Sequence, residues 1–218
     1  GVTQVSSYVD QVIASFLPSG AVAALAYAQT LYLLPVSLFG MSISSAELPE
    51  LSSGLGADGL RERLGVALRR VAFFVVPSAV AFALLGDRVV ALVFQTGAFG
   101  ADDVVHVWAV LVGSSVGLLA MTLGRLYASA FWALHDTRTP LRFALVRVAL
   151  GAGLGALFAF QGPRLLGVPE RYGLAGLTLG AGLAGWVEML LLRRALNARV
   201  GKTGLPASFS LRVWGAAL

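Results

Sequence analysis

Cysteine is absent from this sequence and histidine occurs only twice. No disulfide frame, zinc site or thiol nucleophile is therefore available, and two histidines alone build no metal cluster. Charge is scarce as well. Asp, Glu, Lys and Arg make up 12% of the chain, about half the share of a soluble domain. No G-x-S-x-G, H-E-x-x-H or phosphate-cradling glycine loop occurs, and nothing resembles a paired acid and base, so the sequence offers no catalytic constellation. Gly1 opens the chain without a basic leader, which gives no sign of a secretory signal peptide. Together with the closing apolar Leu218, it reads as a piece of a longer protein.

What remains is apolar. Hydrophobic residues make up 57% and the mean hydropathy is +0.82, which reads as an all-α, polytopic membrane bundle. Six spans are expected, with the start of a seventh. They are Val2–Leu17, Ala21–Ala46, Val71–Leu85, Asp102–Leu134, Pro140–Phe160 and Gly173–Leu192, followed by Ala207–Leu218. The domain division expected is one six-helix lobe over 1–205 and the opening of a further span over 206–218. Connectors are read at Glu47–Arg70, with an amphipathic part near Gly59–Arg70, at Gly86–Gly100, at His135–Pro140, at Gln161–Tyr172 and at Arg193–Pro206.

The charge of +5 is a topology signal rather than a nucleic-acid signal. If the second, fourth and sixth spans end inside, the inner connectors carry Arg61, Arg63, Arg69, Arg70, Arg138, Arg142, Arg147, Arg193, Arg194, Arg199, Lys202 and Arg212. These are twelve of the 16 basic residues, and the outer connectors carry Arg88, Arg164 and Arg171. That asymmetry places the basic connectors in the cytoplasm.

The stretch Ala21–Ala46 holds no charged residue and spans roughly 39 Å as a helix, enough to cross the bilayer core. Pro35 near its middle predicts a kink. Thr30, Ser37 and Ser44 recur every seven residues on one face, flanked by Tyr27 and Gln29. A one-sidedly polar, kinked span suits a wet cavity. The alternative for each hydroxyl is a bond to its own helix carbonyl.

A charge inside the membrane costs about 2.5–3.5 kcal/mol on insertion scales, so each one needs a reason. Three are singled out. Arg125 shares its span with Ser114, Thr122, Ser129 and Trp132, and facing a cavity it can grip a phosphate bidentately. The other reading is snorkelling, which is stretched because the helix end at His135 lies about 15 Å away. Asp10 suits a cation, a proton or a hydrogen bond between helices. Glu188 lies close enough to Arg193 and Arg194 to expect an ion pair with that inner cluster. Gly176, Gly180, Ala184 and Glu188 recur every fourth residue, as do Gly151 and Gly155, a spacing that lets helices pack closely.

Three segments carry a family resemblance: SFLPSGAVAALAYAQTLYLLPVSLFGMSISSAELPELS, LVFQTGAFGADDV and LYASAFWALHDTRTPLR. In order and spacing they resemble the MurJ/MviN family, lipid II flippases of the multidrug/oligosaccharidyl-lipid/polysaccharide exporter superfamily. The resemblance covers essentially the whole chain. It implies the second six-helix lobe of a fourteen-helix protein of the bacterial inner membrane, partnered by an N-terminal lobe and by membrane lipids. It implies lipid II flipping by alternating access in peptidoglycan and cell-wall biogenesis, with cavity arginines on the diphosphate. A lone lobe would expose its polar face to lipid and is expected to need the partner lobe.

The resemblance also bears on single residues. It implies a substrate cavity with Arg125, Gln29, Thr30 and Ser37. Arg125 matches a basic position of the family, whereas Thr30 stands where the family commonly has arginine. It implies no cofactor beyond an ion gradient, Na+ or H+, or the membrane potential. Some members hold sodium through residues that match Asp10 and Thr178, together with an Asn or Asp that Pro140–Phe160 lacks. Two other readings stay open: export of another polyprenyl-linked glycan or a drug, and a non-transporting paralogue.

Overall fold

The computed structural model describes residues 2–41 and 56–217. Ser44 and the LPELS segment lie outside these residues. Eight α-helices are present among the described residues: α1 (Val2–Ser15), α2 (Ala21–Pro35), α3 (Ala57–Phe94), α4 (Ala101–Ala133), α5 (Arg138–Phe160), the short α6 (Gly162–Leu166), α7 (Gly173–Val200) and α8 (Ala207–Ala217). Among the described residues, five stretches are long and apolar enough to cross a membrane: Ala21–Phe39, Ala57–Phe94, Ala101–Ala133, Arg138–Phe160 and Glu170–Val200. The chain is thus an all-helical, multi-pass membrane protein. With 14 residues, α1 reaches only about 21 Å.

The span after α2 does not break at Pro35. Val36–Met41 continues as a wider π-helical turn, the local adjustment that accommodates the hydrogen bond proline cannot donate. The largest departure from the sequence reading is α3. Its 38 residues run about 57 Å without interruption, through the amphipathic part of the expected first connector and into the next one as far as Phe94. A helix satisfies its own backbone, so it can leave the apolar layer carrying Arg61, Arg63, Arg69 and Arg70 without turning into a loop. Gly86, the first residue of the expected Gly86–Gly100 connector, sits inside α3, where Trp108 of α4 lies against it. A Cβ there would fall 2.8 Å from Trp108 Cδ1.

The centre of the bundle is α4. In its most apolar window 56% of the residues are enclosed, against 22% for α5, and it packs on α2, α3 and α7. Its large buried side chains, Leu111, Leu118, Leu126, Tyr127 and Phe131, join those of α3 and α7 in the core. The helix α5 gives only Ala159 to the buried apolar clusters. It docks on α7 through small residues instead. The backbone of Gly155 faces Gly180, Gly151 faces Ala181 and Ala184, and Gly176 faces Phe158. This is the close packing the four-residue spacing implied.

The ends of the bundle differ in charge. The start of α3 lies beside Lys202, Thr203 and Gly204 just after α7. The turn after α4 is fixed by Asp136, whose carboxylate accepts the N–H of Arg138 (3.0 Å), the N–H and hydroxyl of Thr139 (3.0 and 2.7 Å) and Nη2 of Arg199 (2.6 Å). Two N–H groups at the start of α5 are thereby capped. At the opposite end Tyr27, Phe94 and Phe99 form an aromatic cluster, with ring centroids 4.9 and 5.3 Å from Tyr27.

Candidate functional site

Five helices converge on a partly open cavity of about 210 Å3. Its polar lining comes from Ser6, Ser7 and Asp10 of α1, Gln29 and Tyr32 of α2, Ser114 and Arg125 of α4, Arg147 of α5 and Thr178 of α7. The backbone allows the approach. Gly117 of α4 meets Gly182 of α7 at the cavity wall, where a Cβ on either would come within 2.9 Å of the other's main chain. Trp186 donates from its indole N–H to Val116 O at 2.8 Å and holds the same two helices together beside it.

Arg125 and Asp10 are half-buried here, and Gln29 and Thr178 line the same space. Among the described residues Arg125 has no carboxylate partner within ion-pair distance. A guanidinium inside a span, with no carboxylate partner among the described residues, is suited by charge to accept an anion. The hydroxyl of Thr178 reaches Val110 O at 3.0 Å and Ala175 O at 3.1 Å, tying α7 to α4.

Thr30 and Ser37 do not line this cavity. Both are exposed, and both hydroxyls bond the carbonyls of their own helix, Thr30 to Ala26 O (3.0 Å) and Ser37 to Leu33 O (2.7 Å). Thr30 and Ser37 thus make the own-helix bond that any Ser or Thr in a helix can make. Thr122 and Ser129 do the same in α4, bonding Leu118 O and Arg125 O. Of the polar residues grouped with Arg125, only Ser114 shares the cavity, and Trp132 is half exposed.

Glu188 is paired, but with a partner other than the one expected. Its Oε2 lies 2.9 Å from Nε of Arg147, and neither Arg193 nor Arg194 reaches it. Arg193 turns instead to Thr203 O at 3.0 Å. Arg147 had been counted with the inner connector; it is 7% exposed, in the middle of α5. The signal that finds it is Pro140 at the helix start, since seven residues at 1.5 Å each carry Arg147 about 10 Å into the span.

These features define a class: a multi-pass membrane protein whose helices hold a charged, partly open cavity, with an arginine that has no carboxylate partner among the described residues. The chain belongs to the family described as lipid II flippase MurJ, whose sequence profile matches residues 1–215. It is 33% identical over 202 residues to a probable lipid II flippase MurJ of Rhizobium tropici, covering 91% of this chain and 36% of that protein. It is 32% identical over 201 residues to the lipid II flippase MurJ of Burkholderia cenocepacia, covering 91% of this chain and 37% of that protein. Its fold is like that of a solved lipid II flippase MurJ in an inward closed conformation, with a TM-score of 0.86 at 24% identity over 99% of this chain and 43% of that one. The chain therefore spans little more than a third of the length of these two relatives.

Proposed function

We propose that this chain is the second lobe of a bacterial inner-membrane flippase for lipid II. Residues 1–205 form the lobe: α1 acts as a sixth span, completed by its neighbours, and α8 opens the next. A first lobe supplies the facing wall of the cavity, and the basic end of the bundle lies in the cytoplasm. Transport proceeds by alternating access, and the role of this lobe is electrostatic. Arg125 grips one phosphate of the lipid-linked diphosphate, while Gln29 and Ser114 offer hydrogen bonds beside it.

The observation that carries this reading is the half-buried Arg125, without a carboxylate partner among the described residues, in a cavity shared by five helices of a family member. Losing one charge-assisted hydrogen bond costs about 1.5–3 kcal/mol, a roughly 10- to 150-fold weaker grip. The test is rescue of cells depleted of their own lipid II flippase by the full-length parent protein and by its Arg125→Ala variant. Rescue by the parent and its loss in Arg125→Ala, at equal membrane levels, is the expected result. Rescue by both would remove Arg125 from the site. No rescue by a well-inserted parent would point to another cargo.

A further inference from the structure

The family resemblance raises a sodium ion on Asp10 and Thr178, and the residues around them do not fit one. Arg147 enters the same cavity from α5, and its Nε lies 2.9 Å from the Glu188 carboxylate. Asp10 lines the cavity from α1, which packs against α5, and Arg147 is the charge that acts on it. Arg125 stands in the same wall. The cavity wall therefore already holds two guanidiniums, Arg125 and Arg147, against Asp10 and the Glu188 that Arg147 pairs with, and among the described residues no third acidic group joins them. An added alkali ion would be a surplus positive charge, held beside a buried guanidinium where repulsion is poorly screened.

The pairing of Arg147 is charge-based rather than directional. Its buried Nε–H makes no well-aligned hydrogen bond to Glu188 despite the short separation. A guanidinium that satisfies nearby carboxylates by charge, without a directed hydrogen bond through that nitrogen, is acting as a counter-ion. Removing it would leave two carboxylates in the membrane with no cation of their own.

We propose that Arg147 is the resident cation of this site. Its tethered guanidinium occupies the electrostatic position that a bound alkali ion would take between Asp10 and Glu188, and it draws α1, α5 and α7 together with no ion from solution. The inference stands apart from what the cavity carries, because it concerns the lobe's own charge balance.

The test uses the full-length parent protein in detergent, with melting followed by tryptophan fluorescence in NaCl, KCl and choline chloride at equal ionic strength. The wild type should melt at one temperature in all three. Arg147→Gln should melt lower in choline and recover by a few degrees in NaCl or KCl, as a solution cation takes the vacated position. Arg147→Lys keeps the charge and should stay indifferent to the salt. Three results would overturn the proposal: a sodium-specific rise in the wild type that Asp10→Asn removes, no cation response in Arg147→Gln, or a cation response in Arg147→Lys. Should Arg147→Gln not be recovered folded, radioactive sodium binding to the wild type decides. No saturable binding sensitive to Asp10→Asn upholds the proposal, and such binding overturns it.

Discussion

Replacing Gly117 with alanine adds a single methyl group, and the structure says where it lands. A Cβ at this position lies 2.5 Å from the Cα of Gly182, while ordinary contact begins at 3.4 Å. The obstacle is main chain on the facing helix, so no side chain can rotate away. The helices α4 and α7 must part by about 0.9 Å along their closest line. Overpacking of this kind costs about 1–3 kcal/mol. Alanine's better helix propensity returns about 1 kcal/mol, which leaves a net loss of roughly 0–2 kcal/mol. Gly153 of α5 is the matched control, because it is exposed and a Cβ there meets nothing within 4 Å. Gly153→Ala should hold or raise stability by up to about 1 kcal/mol. Both variants of the full-length protein would be melted in detergent beside the wild type. The expected order is Gly153→Ala at or above wild type and Gly117→Ala a few degrees below. If Gly117→Ala melts as high as Gly153→Ala, the close approach of α4 and α7 is not what holds the cavity wall.

Two further perturbations follow from buried and capped charges. Glu188→Gln removes one partner of a buried ion pair and should destabilise the protein by about 3 kcal/mol. That is the low end for such a change, since Asp10 still faces Arg147, and chemical denaturation in detergent would read it. The N–H and hydroxyl of Thr139, with Arg199 behind them, hold the Asp136 carboxyl below the usual carboxylate range. A depressed value means that the stabilisation is present at neutral pH and fades as pH falls below the ordinary value of 3.8. Asp136→Asn should therefore melt lower than wild type at neutral pH, with a gap that narrows on acidification; a gap constant with pH would show that capping by the carboxylate is not the cause.

Legibility in the sequence followed how local each signal was. The α5–α7 seam could be read from Gly151, Gly155, Gly176, Gly180 and Ala184, because a four-residue spacing of small side chains is a property of one helix at a time. Arg125, Asp10, Gln29 and Thr178 were named and do share a cavity. Arg147 was not, because an arginine close to a basic turn reads as one more topology charge until the helix start is counted from Pro140. The ends of α3 were hidden for a related reason: polar residues and Gly86 look like connectors locally, and only Trp108 on another helix explains the glycine. Thr30 and Ser37 lie outside this cavity and bond their own helix, because periodicity fixes a face but not the partner of a hydroxyl. Of the facing pair, Gly117 stands four residues after Gly113 and so carries the same local mark, whereas Gly182 has no glycine four residues from it.

The way α5 is held has a mechanical consequence. It meets α7 largely backbone to backbone, and few bulky side chains interlock along its length, among them Leu177 of α7 over Gly155 and Phe143 against the core. A smooth contact has a shallow energy profile for axial displacement, and small sliding of packed helices is one of the ordinary ways domains rearrange. The Arg147–Glu188 pair is then the latch on an otherwise low-friction joint, and its two charges set how far α5 travels before the lobe must change shape as a whole.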